Sequence, residues 1–280
     1  MSVDVEWLST YLKLLRSGKT AESYNYKFSH IPKDLYRYRK DDAHHIENLK
    51  NDQDWFSHPC DFNDPFDTCI TLSEQQFFND LKKLVKEKRI EFDIKMSPND
   101  LKIYARENYL NAVQLLNEKF RSETFQICCY SERLFSIPMW AHYAGNHTGF
   151  CVAYSNFNMY EGHDLFPVIY SEESTKIRSE FFSDNQVVSD VGALMPILHK
   201  YKDWSYEHEW RWLKRTDNKL QPLINPIRTK SPTAIYLGFS CSEQLIVNLK
   251  SIAKQKNIPI YKMEADYSKI GLRAKIINDI

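Results

Sequence analysis

Glycine is scarce in this chain, with seven among 280 residues, while aromatic residues make up 14%. That balance excludes a flexible linker protein and favours a well-packed, ordered structure. No apolar run approaches the ~20 residues needed to cross a bilayer, and residues 1–15 alternate charged with apolar positions and lack the apolar core of a signal peptide. A cytoplasmic protein with no membrane partner is therefore expected. Charge of one sign is also missing, because Lys plus Arg and Asp plus Glu each total 37. Affinity for long nucleic acid depends on neutralising phosphates, so this neutrality argues against a non-specific binder. It leaves room for a small nucleotide or a locally basic groove. The six cysteines include no Cys-x-x-Cys pair and none at zinc-finger spacing to histidines, so reduced thiols and no structural metal are expected. GxSxG, HExxH, Walker and GxGxxG signatures are absent as well.

What is there reads as one α+β domain over 1–280, long enough for a substantial core. Its expected centre is a mostly antiparallel sheet. A helix is predicted over 5–17, and Pro32 introduces an alternating first strand, Leu35-Tyr36-Arg37-Tyr38-Arg39. Ser73 and Ser97-Pro98 each open a helix, which makes 73–122 a helical insertion after that strand. Strands are expected at 125–130, 149–154 and 166–170, with a short helix at 137–144 starting near Pro138. Residues 191–202 read as a helix. A strand at 234–237, a helix capped by Ser242 and a last strand at 259–263 form a C-terminal strand-helix-strand unit.

The densest chemistry lies in Tyr201–Trp212, which includes Tyr206-Glu207-His208-Glu209-Trp210-Arg211-Trp212. Read as a strand, it places Glu207, Glu209 and Arg211 on one face and the aromatics on the other. Two carboxylates beside a guanidinium suit stabilising a developing cation while gripping a phosphate or hydroxyl. A surface ion pair is the plainer reading. His142 could act as a general acid or base, and Tyr143 could stack on a base. Both also fit as packing residues beside Trp140. Arg37 and Arg39 share a strand face and could hold a pyrophosphate by guanidinium forks, or simply charge a sheet edge. Asn63, Asp64 and Asp67, around Pro65, could bind a ribose hydroxyl or a cation, or only close a turn on themselves. Cys128 and Cys129 sit in an apolar strand and read as fillers.

The order of these blocks, Tyr36–Arg39, Asn63–Asp67, Ser131 with Met139–Tyr143, Gly149–Val152 and Trp204–Arg211, resembles a bacterial family known as domain of unknown function 2971. The resemblance runs over 33–240 and implies no particular reaction. A looser architectural resemblance is to ADP-ribosyltransferase-like folds, in which an early arginine, a central aromatic and a late glutamate act together. Arg37, Tyr143 and Glu209 occur in that order here, although His142 and Tyr143 fall on a helix rather than a strand. Together these readings point to an enzyme acting on NAD or a related nucleotide at a glycosidic bond, with no other cofactor implied. Glu209, Glu207 and His142 would be catalytic, and Arg37, Arg39, Tyr143, Arg211, Asn63 and Asp64 would bind substrate. Two other classes stay open. One is a nucleic-acid-processing or sensing protein of anti-phage defence, with Glu207, Glu209 and Asp64 as metal ligands. The other is a non-enzymatic interaction module.

Overall fold

The computed structural model describes residues 6–92, 96–172, 175–176, 194–215 and 225–277. The chain starts with two helices, α1 (Glu6–Arg16) and α2 (Thr20–Phe28), then β1 (Asp34–Arg39), α3 (Ala43–Lys50) and the two-residue strand β2 (Gln53–Asp54). Helix α2 has only weak apolar periodicity, and sequence reading passes over it as a polar segment. After β3 (Ile70–Thr71) come α4 (Glu74–Lys86) and α5 (Pro98–Glu123). Their starts follow from their caps. Ser73 Oγ accepts the Gln76 amide at 3.1 Å, and Ser97 with Asp100 completes a reciprocal capping box. The two helices pack on each other through Leu81, Leu101 and Ala105. Asn117 ties α5 back to the body, its side chain bonding the Ile70 amide at 2.8 Å and the Ile70 carbonyl at 2.9 Å.

The rest of the chain builds the sheet. It contributes β4 (Phe125–Ser131), α6 (Ile137–Tyr143), β5 (Phe150–Ser155), α7 (Met159–Gly162), β6 (Leu165–Pro167), β7 (Ile169–Ser171), β8 (Thr175–Lys176) and β9 (His199–Tyr201). A 3-10 segment (Lys202–Glu207), β10 (Glu209–Arg215), β11 (Ile227–Arg228), β12 (Ala234–Leu237), α8 (Glu243–Lys256), β13 (Ile260–Asp266) and β14 (Gly271–Ile276) follow. Eight strands form one sheet in the order β14-β13-β12-β5-β1-β4-β10-β6. Every neighbouring pair is antiparallel except β12–β13, which α8 connects as a strand-helix-strand crossover. The expected α+β class and mostly antiparallel core are therefore what the chain adopts. Strand β14 extends the sheet one strand beyond the expected end.

The 191–202 region corrects the sequence reading. Among its described residues 194–198 are helical, but His199–Tyr201 is a strand paired in parallel with β7. The stretch after it also differs: Lys202–Glu207 is a 3-10 turn, and strand β10 begins only at Glu209. His208 marks the break, with φ 44° and ψ 54° in the left-handed region.

Two features of the sheet position the site. First, register fixes faces: Tyr36 pairs with Ser131 and Ser131 with Glu209, so these three side chains share one face. Arg37 and Arg39, one residue off in β1, fall on the other face with Leu35, Val152 and Tyr154. Second, β1 and β4 pair at one position only, Tyr36 with Ser131. Beyond it the strands diverge, and the 53–57 segment enters the gap, with Ser57 bridging Ile127. The Arg37 guanidinium spans this seam, donating to the Cys129 carbonyl at 2.9 Å and the Trp55 carbonyl at 3.1 Å.

Candidate active site

A cleft of about 430 Å3 opens at this seam. Its walls include Tyr36, Tyr38, Phe62, Asn63, Tyr130, His142, Tyr143, Lys200, Glu207 and Glu209. Behind it lies a buried cluster of five charged side chains. Lys200, delivered by β9, places Nζ 2.6 Å from Glu207 Oε2, 3.1 Å from Glu209 Oε2 and 3.3 Å from Asp67 Oδ2. Arg211 closes the rear. Its Nε and Nη2 fork onto the two Glu209 oxygens at 2.9 and 3.1 Å, and Nη2 also reaches Asp67 Oδ2 at 2.7 Å. Arg211 Nη1 donates to the Ile197 carbonyl. Asp67 is set by Thr68, which lies in the left-handed region at φ 62° and donates its hydroxyl to Asp67 Oδ1 at 2.8 Å.

The two glutamates are in unlike settings. Burial would push Glu209 up, but Arg211 and Lys200 overcome it and hold the carboxyl well below the usual range. For Glu207 burial wins over Lys200, aided by the neighbouring Glu209 charge, and its pKa rises to about 7. Counting charges gives the reason: Asp67, Glu207 and Glu209 face only Lys200 and Arg211, so one carboxylate is uncompensated when all five are ionised. Glu207 is the one nearest the cleft-lining Tyr143, whose hydroxyl donates to Glu207 Oε1 at 2.5 Å. Burial, then the Glu207 charge, keeps the Tyr143 phenol protonated far above its ordinary range. Lys200 stays charged: burial opposes it, but Glu209, Asp67 and Glu207 outweigh that.

Glu207 thus reaches the cluster by a route other than strand alternation. It ends the 3-10 turn, and the left-handed His208 swings the chain so that its carboxyl still meets Lys200 beside Glu209. Of the expected site residues, Glu207, Glu209, Tyr143, His142, Asn63, Arg37 and Arg39 all line the cleft, and Arg211 stands behind Glu209. Arg211 does not line the cleft. It is fully buried and its donors are used within the cluster. His142 is exposed at the mouth, its ring 6.2 Å from that of Tyr206.

Arg37 and Arg39 lie along the same seam but are committed elsewhere. Arg37 Nε and Arg39 Nη2 converge on Asp54 Oδ1 at 2.9 and 2.7 Å, and Arg39 also donates to the Tyr154 hydroxyl at 2.6 Å. Both line the cleft, but Asp54, Tyr154 and backbone carbonyls hold their guanidinium groups, so neither presents the free fork expected for a pyrophosphate. Asp64 is buried outside the cleft and accepts the Phe66 amide at 2.8 Å, which makes it a turn residue. Among the described residues no group of three or more His, Cys, Asp or Glu side chains is placed to hold a metal ion. The ammonium of Lys200 occupies the space between the glutamates where such an ion would have to sit. Burial pushes Cys128 up to about 12 and Cys129 well above its usual range, which leaves both as inert thiols.

Sequence reading missed Lys200, Tyr170 and Asp54. Lys200 fell inside an apparent helix, although a lysine two residues after an apolar pair and just before a charged turn is a signal a strand reading would have caught. Tyr170, whose hydroxyl accepts the Glu209 amide at 2.9 Å, and Asp54, in a two-residue strand, carry no local signature.

This is an α+β protein with a buried carboxylate–cation cluster behind an aromatic cleft. A family model described as a protein of unknown function (DUF2971) matches residues 139–212. The resemblance in motif order is thus borne out over a stretch narrower than 33–240, from α6 to β10, which holds Tyr143, Lys200, Glu207, Glu209 and Arg211. The resemblance to ADP-ribosyltransferase-like folds is not shown. No curated protein and no solved structure matched the chain. No helix among the described residues is long and apolar enough to cross a membrane.

Proposed function

We propose that the chain is an enzyme that cleaves a glycosidic bond of NAD or a related nucleotide, with Glu207 as the group that turns over its charge. The supporting observation is the imbalance of three carboxylates against two buried cations, with the odd charge on Glu207 at the cleft. Two neighbouring carboxyls whose surroundings drive their pKa values apart are the usual mark of divided roles in such chemistry. Glu209, fixed between Arg211 and Lys200, supplies a permanent negative charge behind the reacting carbon. Ionised Glu207, oriented by Tyr143 and Lys200, stabilises the oxocarbenium-like transition state and accepts the proton of the attacking water. A nicotinamide leaving group departs neutral with the bonding electron pair, so the departure needs no general acid. Tyr36, Tyr38 and Phe62 supply aromatic surface for the base.

The test is nicotinamide release from NAD by purified protein across pH, in wild type and Glu207→Gln. Release is expected to climb through about pH 7, where Glu207 loses its proton, and to fall by at least about a hundredfold in the variant, the usual worth of a positioned base. No release by the wild type, or release that Glu207→Gln leaves intact, would sink the reading.

A further inference from the structure

A second cavity, of about 520 Å3, adjoins the first and shares Tyr36 with it. The two alternate along the chain. Ser131 and Glu207 line the first, whereas Arg133, Tyr206 and His208 line the second. Ser131 joins the two walls: its hydroxyl donates to the Glu207 carbonyl at 2.5 Å and accepts the Arg133 amide at 3.0 Å. The positions of Glu207 and Arg133 are therefore linked through one buried side chain.

Arg133 differs from the other arginines of this region. Its side chain is exposed, and among the described residues its guanidinium forms no ion pair, bonding only His208 Nε2 through Nη2 at 3.1 Å. Burial and Arg133 itself lower the His208 pKa, which favours the neutral ring that can accept this bond. Glu132, the carboxylate in the same wall, accepts Trp210 Nε1 on Oε1 at 2.6 Å, and its Oε2 lies 3.9 Å from His208 Nδ1. Arg37 and Arg39 line the first cleft but share Asp54, and backbone carbonyls take further donors, whereas Arg133 keeps most of its donors free to turn to an anion.

We propose that the second cavity is an anion subsite in which Arg133 binds the phosphate of a nucleotide whose glycosidic carbon lies at Glu207 in the first. The assignment rests on the glycosidic reading above and narrows its substrate class to phosphorylated nucleosides. A planar guanidinium with most of its donors unused matches phosphate geometry.

Arg133→Gln, a change at an exposed side chain, tests it by two readouts. The first is binding of ADP and of adenosine, followed by calorimetry. ADP affinity should fall at least about tenfold, the scale of a charge-assisted hydrogen bond, with adenosine affinity unchanged. The second is nicotinamide release from NAD and from nicotinamide riboside, which holds the same glycosidic bond without phosphate. Arg133→Gln should raise KM for NAD and leave kcat and riboside cleavage as in wild type. Equal ADP binding by both proteins overturns the subsite. Riboside cleavage by a wild type that does not bind ADP also overturns it and leaves the glycosidic reading standing. ADP binding that depends on Arg133, without nicotinamide release from either compound, overturns the glycosidic reading alone. A wild type that neither binds ADP nor releases nicotinamide overturns both.

Discussion

Replacing Glu207 by glutamine tests the charge balance of the buried cluster directly, independent of any substrate. The side chain keeps its shape. A glutamine can accept from Lys200 through Oε1 and donate to the Tyr143 hydroxyl through Nε2, so both native contacts remain available. The cluster then holds Asp67 and Glu209 against Lys200 and Arg211 and is neutral at every pH near 7. In wild type the Glu207 carboxyl rises from an ordinary 4.5 to about 7. A carboxyl raised on folding binds its proton more tightly in the native state. Its contribution is therefore full below about pH 4.5 and is lost as pH climbs toward and past 7. Between pH 5.5 and 8.5 that loss spans about 1.5 pH units, or roughly 2 kcal/mol at ~1.4 kcal/mol each. The assay is urea unfolding of both proteins at pH 5.5, 7.0 and 8.5. Glu207→Gln should gain on wild type with rising pH, by about 2 kcal/mol over the range. A stability difference that stays constant with pH would refute the reasoning, because it would mean that Glu207 folds in the same protonation state it has when unfolded.

Lys200→Met leaves three carboxylates facing Arg211 alone and should cost about 3–5 kcal/mol; adding Glu207→Gln should recover at least about 1 kcal/mol of it, and strictly additive losses in a double-mutant cycle would contradict the shared cluster. Asp54→Ala strands the Arg37 and Arg39 guanidinium groups beside each other in the seam, with an expected loss of about 3–5 kcal/mol in denaturant unfolding; a loss under about 1 kcal/mol would show that the pair is solvated rather than held. Ser97→Ala removes the capping box of α5 and should lower stability by about 1 kcal/mol, with faster amide exchange confined to the first turn of that helix; unchanged exchange there would contradict the cap.

Local rules made the frame legible. Ser73, Ser97 and Ser242 announced three helix starts because a cap is decided by its own neighbours, and each hydroxyl accepts the amide expected of it. Apolar runs located β4 and β5, and the alternation of charged with aromatic residues located β10, all three buried along most of their length. The charged cluster was only half legible. Glu209 and Arg211 sit on a regular strand, so alternation put them on one face. Glu207 arrives through a left-handed histidine, a conformation histidine favours more than most residues but still adopts too rarely to be read from sequence. The partners of Arg37 and Arg39 were hidden for another reason. What the arginines of β1 meet depends on register with β4 and β5, and Asp54 lies in a strand too short to show a period.

The seam between β1 and β4 has a consequence for how such a cleft can vary. The ladder bonds of β14-β13-β12-β5-β1 and those of β4-β10-β6 each close within their own leaf, and the leaves meet at the Tyr36–Ser131 pair. The 53–57 segment serves as a shim between them, and Arg37 sets the gauge by the reach of one side chain. A longer or bulkier shim would widen the mouth without breaking a rung in either leaf. Ligand size can thus be retuned there with the scaffold left intact, while the charges behind Glu207 stay where they are.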